Sequence, residues 1–213
     1  YLREVTERNG QECWQVTSMW DDRYTTEEYV YGTNPNDFLV SVIDRIPRGR
    51  VLCLAEGEGR NAVYLAKQGC AVLAVDSSPV GLAKAVKLAQ ANKVRIETLV
   101  ADLANLTIEP ERWDAVISIF CHVPSGVRRE LHRKVAGGLR SGGVLVLEAY
   151  TPAQLKLGTG GPPSEDMMMT LSSLRHEFDG LVFKHAVELE RDVIEGKLHT
   201  GRGAVVQLVA VKP

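Results

Sequence analysis

The sequence lacks the marks of several protein classes. Its four cysteines, Cys13, Cys53, Cys70 and Cys121, never fall in a CxxC pair, so neither a zinc ribbon nor a thioredoxin-type motif is present. Cys53 and Cys70 lie within or at the start of apolar, strand-like runs and read as reduced, packed thiols of a cytoplasmic protein. No apolar run approaches the roughly 18 residues of a membrane span. The opening residues, Tyr1 to Arg8, hold no apolar core of a signal peptide. With 25 basic and 27 acidic residues the formal net charge is −2, so no global basic field exists to attract nucleic acid. Repeats and low-complexity tracts are missing as well. What is left is a chain of 213 residues, 45% hydrophobic and 24% charged, enough for one α/β domain with a full core.

The organising stretch runs from Val51 to Asp76. A short apolar run, Val51 to Leu54, leads into Ala55-Glu56-Gly57-Glu58-Gly59-Arg60-Asn61. A helical pattern follows and stops at Gly69. A second apolar run then ends on Asp76. This is strand, loop, helix, strand: one right-handed βαβ unit with a nucleotide-type loop at its first turn. Gly57 and Gly59 let the backbone approach a ligand where a Cβ would intrude. Asp76 closes the second strand beside that loop, where a carboxylate can hold two ribose hydroxyls.

The spacing Gly57-x-Gly59-x-x-Ala62 also fits a dinucleotide fingerprint. The charges discriminate. Glu56 and Glu58 lie in or beside the loop, and a unit charge about 4 Å away near a surface is worth on the order of 4 kcal/mol. Two carboxylates facing a diphosphate repel it, whereas an ammonium or a sulfonium is attracted. S-adenosyl-L-methionine carries both cations and a ribose. Glu56 is expected to touch it; Glu58 either does so or points to solvent.

From Leu52 through Asn61, with the helix and Val75-Asp76 behind it, the chain resembles motifs I and II of class I S-adenosylmethionine-dependent methyltransferases. The nearest branch is similar to tellurite-resistance and thiopurine methyltransferases, and the likeness covers about Met19 to Lys212. Cys53 stands where that pattern has an acid, and Ala55 where it has its first glycine. The cofactor's amino group is then left to Glu56 or to backbone carbonyls. The resemblance implies a single Rossmann-like α/β/α domain over residues 19–213. Its seven-stranded, mostly parallel sheet would have the order 3-2-1-4-5-7-6 and end in an antiparallel hairpin. Residues 1–18 match nothing in the pattern and form an extension of unknown role.

Other segments supply candidates in register with these motifs. Trp20, Arg23, Tyr24 and Tyr31 crowd a short stretch with a Gly/Pro turn. They read as a lid whose guanidinium forks onto the cofactor carboxylate, or else as an amphipathic helix on the sheet. Asn61 lies in the loop itself. Ser77, after the ribose acid, either donates to the cofactor or caps the next helix. A third strand, about 94–100, leads into Asp102 and Leu103; by the resemblance this loop lines the adenine pocket, with Asp102 either accepting from the adenine amino group or simply starting a turn. A fourth, 114–120, ends at Phe120-Cys121-His122, where an open parallel sheet places its ligands. His122 is either a general base, having an ordinary pKa near neutrality, or a ring bonding backbone before a helix. Residues 151–170, rich in glycine and proline, are expected to be a mobile lid over the acceptor.

These readings give a methyltransferase for a small molecule, a soft thiol or a metalloid being the acceptor the resemblance suggests. The protein would be a monomer or a homodimer without metal, nucleic acid or membrane. A short-chain NAD(P) oxidoreductase is the alternative, but it requires a tyrosine followed four residues later by lysine, and no tyrosine after the first 18 residues has one. A cofactor-binding module without catalysis is the other.

Overall fold

The apolar run at Val51 becomes the centre of a seven-stranded sheet. The structure is a computed structural model that describes residues 5–8, 11–14, 19–196 and 199–213. A separate hairpin, β1 (Val5–Arg8) and β2 (Gln11–Trp14), precedes the short helix α1 (Met19–Tyr24). Helix α2 (Asp37–Ser41) starts at Asn36, whose side chain accepts from Leu39 N–H. Then come β3 (Arg50–Leu54), α3 (Arg60–Lys67), β4 (Ala71–Asp76), α4 (Pro79–Ala91), β5 (Glu97–Val100), β6 (Trp113–Ile119), α5 (Ser125–Gly138) and β7 (Leu139–Tyr150). Helix α6 (Leu171–Glu177), β8 (Val182–Glu195) and β9 (His199–Val211) complete the chain.

The strand order is β5-β4-β3-β6-β7-β9-β8, which is the expected 3-2-1-4-5-7-6. The first five strands are parallel, and β9 lies antiparallel between β7 and β8. That antiparallel insertion separates this sheet from the all-parallel sheet of dinucleotide dehydrogenases. Both faces of the central strands are buried, as parallel strands under helices require. Leu52, Leu54, Val116, Leu145 and Leu147 pack on one face; Val51, Cys53, Ala74, Ala115 and Ile117 pack on the other.

Strand β5 begins at Glu97, three residues later than its apolar pattern suggests. Helix α4 ends in a Schellman-type cap: Val94 N–H reaches Ala89 O, Lys93 N–H reaches Gln90 O, and Lys93 takes φ +59°. That cap uses the residues that would have opened the strand. The segment 151–170 is bonded to its surroundings at several points. Gln154, 1% exposed, accepts from Ala204 N–H and donates to Thr159 and Gly160. Arg128 holds the carbonyls of Asp166 and Met168. Among the described residues no helix is long and apolar enough to cross a membrane.

Candidate active site

The tips of β3, β4 and β6 converge where the strand order reverses, and the backbone is strained there. Ala55 after β3 has φ +49° and Phe120 after β6 has φ +51°. Left-handed geometry costs a non-glycine residue roughly 1–2 kcal/mol, so adjacent strand tips that both adopt it mark a functional locus. Asp76 ends β4, on the side of β3 away from β6, and is 6% exposed. Its carboxylate accepts from Gly57 N–H at 2.9 Å and from Ser78 N–H at 2.8 Å. Burial pushes its pKa up, against the lowering effect of those bonds. The acid therefore fixes the glycine loop and the start of α4 together.

Helix α1 closes over this acid. Tyr24 is 5% exposed, and a Cβ added at Gly57 would lie 2.6 Å from its hydroxyl. Burial first, then the fields of Asp76 and Glu58, push the Tyr24 phenol well above its ordinary pKa. Trp20 stacks on Tyr24 at 5.9 Å between centroids, and the Arg23 guanidinium lies 4.7 Å from the Trp20 ring. Arg23 also donates to the Tyr31 hydroxyl at 2.9 Å. The four aromatic and basic residues singled out in the sequence are thus one packed cover. Asp21 anchors its near end by accepting from the Ser78 hydroxyl.

The two loop glutamates are each engaged by groups of the protein itself. Glu56 turns inward: its Oε1 accepts from Ala62 N–H at 2.7 Å and caps the start of α3. Burial raises its pKa to about 7, against the backbone bond from Ala62 and the charge of Arg60. Glu58 is buried and pairs with Lys84 at 2.5 Å, while accepting from Tyr31 N–H at 3.3 Å. Helix N-termini attract carboxylates, and buried carboxylates need a cation or donors. Those two demands, invisible in the residue order, commit Glu56 to the start of α3 and Glu58 to Lys84. Asn61 is likewise occupied, accepting from Asn36 N–H at 2.9 Å.

Ser77 is exposed beside Asp76, and the cap of α4 is Ser78, which accepts from Gly81 N–H at 3.0 Å. Asp102 is exposed after β5 and accepts from Ala104 N–H; Leu103 beneath it is 7% exposed. Phe120 stacks on Tyr150 at 4.7 Å. His122 bonds backbone on both sides: Nδ1 lies 3.0 Å from Met167 O, and Nε2 accepts from Tyr150 N–H at 3.3 Å. Burial lowers its pKa to about 4. Of its two readings, this geometry fits the backbone-bonding one. Cys121 is packed, and burial pushes its thiol up to about 12.

Sequence reasoning missed two parts of the surroundings. Lys84 is one. The other is a buried polar cluster behind the loop. Glu148, fully buried, accepts from Asn36, Arg191 and Gln207. Glu195 pairs with Arg60 and Arg191 and accepts from Asn36. Two carboxylates meet two guanidiniums, so the tip of the β8–β9 hairpin is tied to the residue that opens α3. An acid inside the apolar run Val144 to Ala149 was the available signal, since a buried carboxylate demands a partner. A surface hollow beside α5, lined by Ser125, Arg129, Asp166 and Ser173, is a different place from this cleft.

Comparison with known proteins bears on the fold. Residues 51–143 match the family model described as a methyltransferase domain. Among proteins of curated function, none matches the sequence. The structure resembles one solved in work on conversion of a disulfide bond into a thioacetal group during echinomycin biosynthesis. The two share 21% identity with TM-score 0.72, over 90% of this chain and 87% of that one. It also resembles TehB from Haemophilus influenzae, at 18% identity and TM-score 0.70, over 91% of this chain and 66% of that one. A third likeness is to an S-adenosylmethionine-dependent methyltransferase from Methanosarcina mazei. There the identity is 15% and the TM-score 0.63, over 81% of this chain and 96% of that one. The fold is the Rossmann-like methyltransferase fold. The matched segment runs from β3 into β7 and covers under half of the chain.

Proposed function

We propose that this protein transfers the methyl group of S-adenosyl-L-methionine to a small, soft nucleophile such as a thiol or a metalloid anion. The observation that carries the cofactor half is Asp76. It is a carboxylate at the tip of β4, bonded to Gly57 and Ser78, under a cover of Trp20, Arg23, Tyr24 and Tyr31. In this reading Asp76 accepts from the ribose hydroxyls, with Ser77 exposed next to it. Asp102 and Leu103 flank the adenine. The Gly57–Gly59 turn and Phe120 border the methionine part, and Arg23 leaves Tyr31 to fork onto its carboxylate. Glu56 and Asn61 shape the loop rather than touch the ligand. The cofactor supplies an activated methyl on sulfur; the protein's share is to orient two reactants and exclude water. Alignment of that kind can contribute about 7–11 kcal/mol.

The acceptor half rests on the side chains around the strand tips, none of which, among the described residues, is a ready base. His122 is held neutral with both ring nitrogens engaged, and Cys121 is kept protonated. Burial raises the pKa values of Tyr24, Tyr31 and Tyr150. Glu56 has a pKa near neutrality, but its carboxylate is committed to α3. A site built this way suits an acceptor that arrives with its lone pair ready. The branch similar to tellurite-resistance and thiopurine methyltransferases, with TehB among the structural neighbours, points the same way. Residues 1–18 are taken as an extension, with the methyltransferase unit spanning 19–213 and residues 151–170 bordering the acceptor.

A methyl-transfer assay across thiols, metalloid oxyanions, amines and catechols tests the acceptor class. Turnover should appear with the soft acceptors and follow the acceptor's own ionisation with pH. Turnover confined to alcohols or phenols would refute the acceptor assignment. Cofactor binding without turnover on any acceptor would favour the module that binds and does not catalyse.

A further inference from the structure

The cover over Asp76 is held by a residue that no motif contains. Lys84 lies in the second turn of α4 and is 9% exposed. Its ammonium donates to Glu28 O at 2.7 Å and to Thr26 O at 2.9 Å, and pairs with Glu58 Oε1 at 2.5 Å. Tyr24 O lies at 3.4 Å. An ammonium has three N–H groups, and the carbonyls of Tyr24, Thr26 and Glu28 take them, while Glu58 Oε1 is held by charge alone, with no hydrogen bond of its own. The Tyr29 ring sits 5.0 Å from the same nitrogen, and its hydroxyl donates to the backbone carbonyl of Lys84 at 3.1 Å. One cation thus gathers three carbonyls of residues 24–28, a face of Tyr29 and a carboxylate of the glycine loop.

The placement is informative. Residues 24–28 are mostly exposed and carry no regular structure of their own after Tyr24. Thr25 and Thr26 bond locally, to Asp22 O and Glu28 O, and Lys84 adds ties from a helix far away in the chain, which count most where exposed backbone bonds compete with water. The segment joins Trp20, Arg23 and Tyr24 on one side to Tyr31 on the other. Glu58, held by Lys84, takes Tyr31 N–H. The far side of the segment rests on the hairpin tip, where a Cβ on Gly196 would lie 2.2 Å from Val30 O. The cover is therefore clamped between α4 and the β8–β9 turn, and the clamp on the cofactor side is Lys84.

We propose that Lys84 is a positioning residue, which sets the aromatic cover 20–31 against the glycine loop and so governs how tightly the methyl donor is enclosed. The inference rests on the cofactor reading above, but its primary readout does not. Lys84 touches no reacting atom. It acts through the carbonyls of residues 24–28 and through Glu58.

Two variants keep the test informative. Lys84→Met removes the charge and leaves Glu58 buried alone; the pair Lys84→Met with Glu58→Gln removes both charges and guards against a simple folding failure. Amide hydrogen exchange is measured first, with no cofactor present. Residues 20–31 should exchange at least about tenfold faster in the double variant, while β3 and β6 keep their protection. Lys84→Arg, which keeps the charge and adds donors, should restore part of the protection. S-adenosylhomocysteine binding and steady-state kinetics follow. KM for the methyl donor and the dissociation constant should rise by about tenfold with kcat changed less than threefold. Unchanged exchange over 20–31 in a folded double variant overturns the proposal, as does a loss confined to kcat. If the wild type fails to bind S-adenosylhomocysteine while the exchange result stands, the cofactor reading falls and the clamp remains.

Discussion

Mild acid should expose the role of His122. The ring donates from Nδ1 to Met167 O and accepts at Nε2 from Tyr150 N–H. Protonating Nε2 would set one N–H against another. Burial, aided by the charge of Arg128 and opposed by the Met167 bond, holds the pKa at about 4 against an ordinary 6.5. The folded state therefore takes this proton less readily than the unfolded chain. The resulting stability is complete above the unfolded value of about 6.5 and is lost as pH falls towards about 4. At about pH 5 the two states differ by about 1.5 log units in proton binding, or about 2 kcal/mol at 1.36 kcal/mol per unit. The residue keeps partial exposure, and solvent screening trims this to about 1–2 kcal/mol. Urea denaturation of the wild type and His122→Phe at pH 7.5 and 5.0 isolates the effect, because other titrating groups cancel in the difference. The phenyl ring keeps the stack on Tyr150, now 5.7 Å between centroids. Between the two pH values the wild type should lose about 1–2 kcal/mol more than the variant. Equal losses, or a larger loss in the variant, would refute the fixed-tautomer account.

Two backbone predictions concern the glycine loop. Gly59→Ala combines φ +91° with a Cβ only 2.5 Å from Ala85 Cβ and 2.7 Å from Ala85 Cα. It should destabilise by about 2–5 kcal/mol in denaturant titrations, summing overpacking and left-handed strain; a cost below about 1 kcal/mol would mean that α3 and α4 move apart freely. Ala55→Gly relieves about 1–2 kcal/mol of strain at φ +49° and loses about 0.5–1 kcal/mol to chain entropy. A small rise in thermal midpoint is expected, and a fall would show that the Ala55 methyl is needed for packing.

The sheet was readable in the residue order because its signals are local. Val51 to Leu54 is apolar without alternation, Gly69 stops α3, and Asp76 follows a second apolar run. The cap at Lys93 was not readable, since a lysine in the left-handed region has no sequence mark, and the apolar pattern from Val94 overstates β5 by three residues. At the site, the order of residues gave Asp76, the glycines and the aromatic cover as neighbours. It gave the sign of Glu56 and Glu58 but not their direction. Direction was decided by Ala62 N–H and by Lys84, groups whose claims on a carboxylate arise only once helices α3 and α4 are in place. Lys84 itself reads as one lysine on an ordinary helix, and its acceptors are backbone carbonyls some 56 to 60 residues away in the chain. His122 was open between two roles because either fits a histidine at a strand tip; only the partners Met167 and Tyr150 separate them.

The most direct measurement is calorimetric titration of the wild type and Asp76→Asn with S-adenosylhomocysteine, NAD and NADP. Asn keeps one acceptor for Gly57 or Ser78 while removing the charge that would hold the ribose. Hydrogen bonds to a charged group are worth about 1.5–3 kcal/mol, so the variant should bind S-adenosylhomocysteine about ten- to a hundredfold more weakly than the wild type. Neither nicotinamide cofactor should bind. Tight NAD or NADP binding, or an Asp76→Asn protein with undiminished affinity for S-adenosylhomocysteine, would contradict the assignment of this cleft.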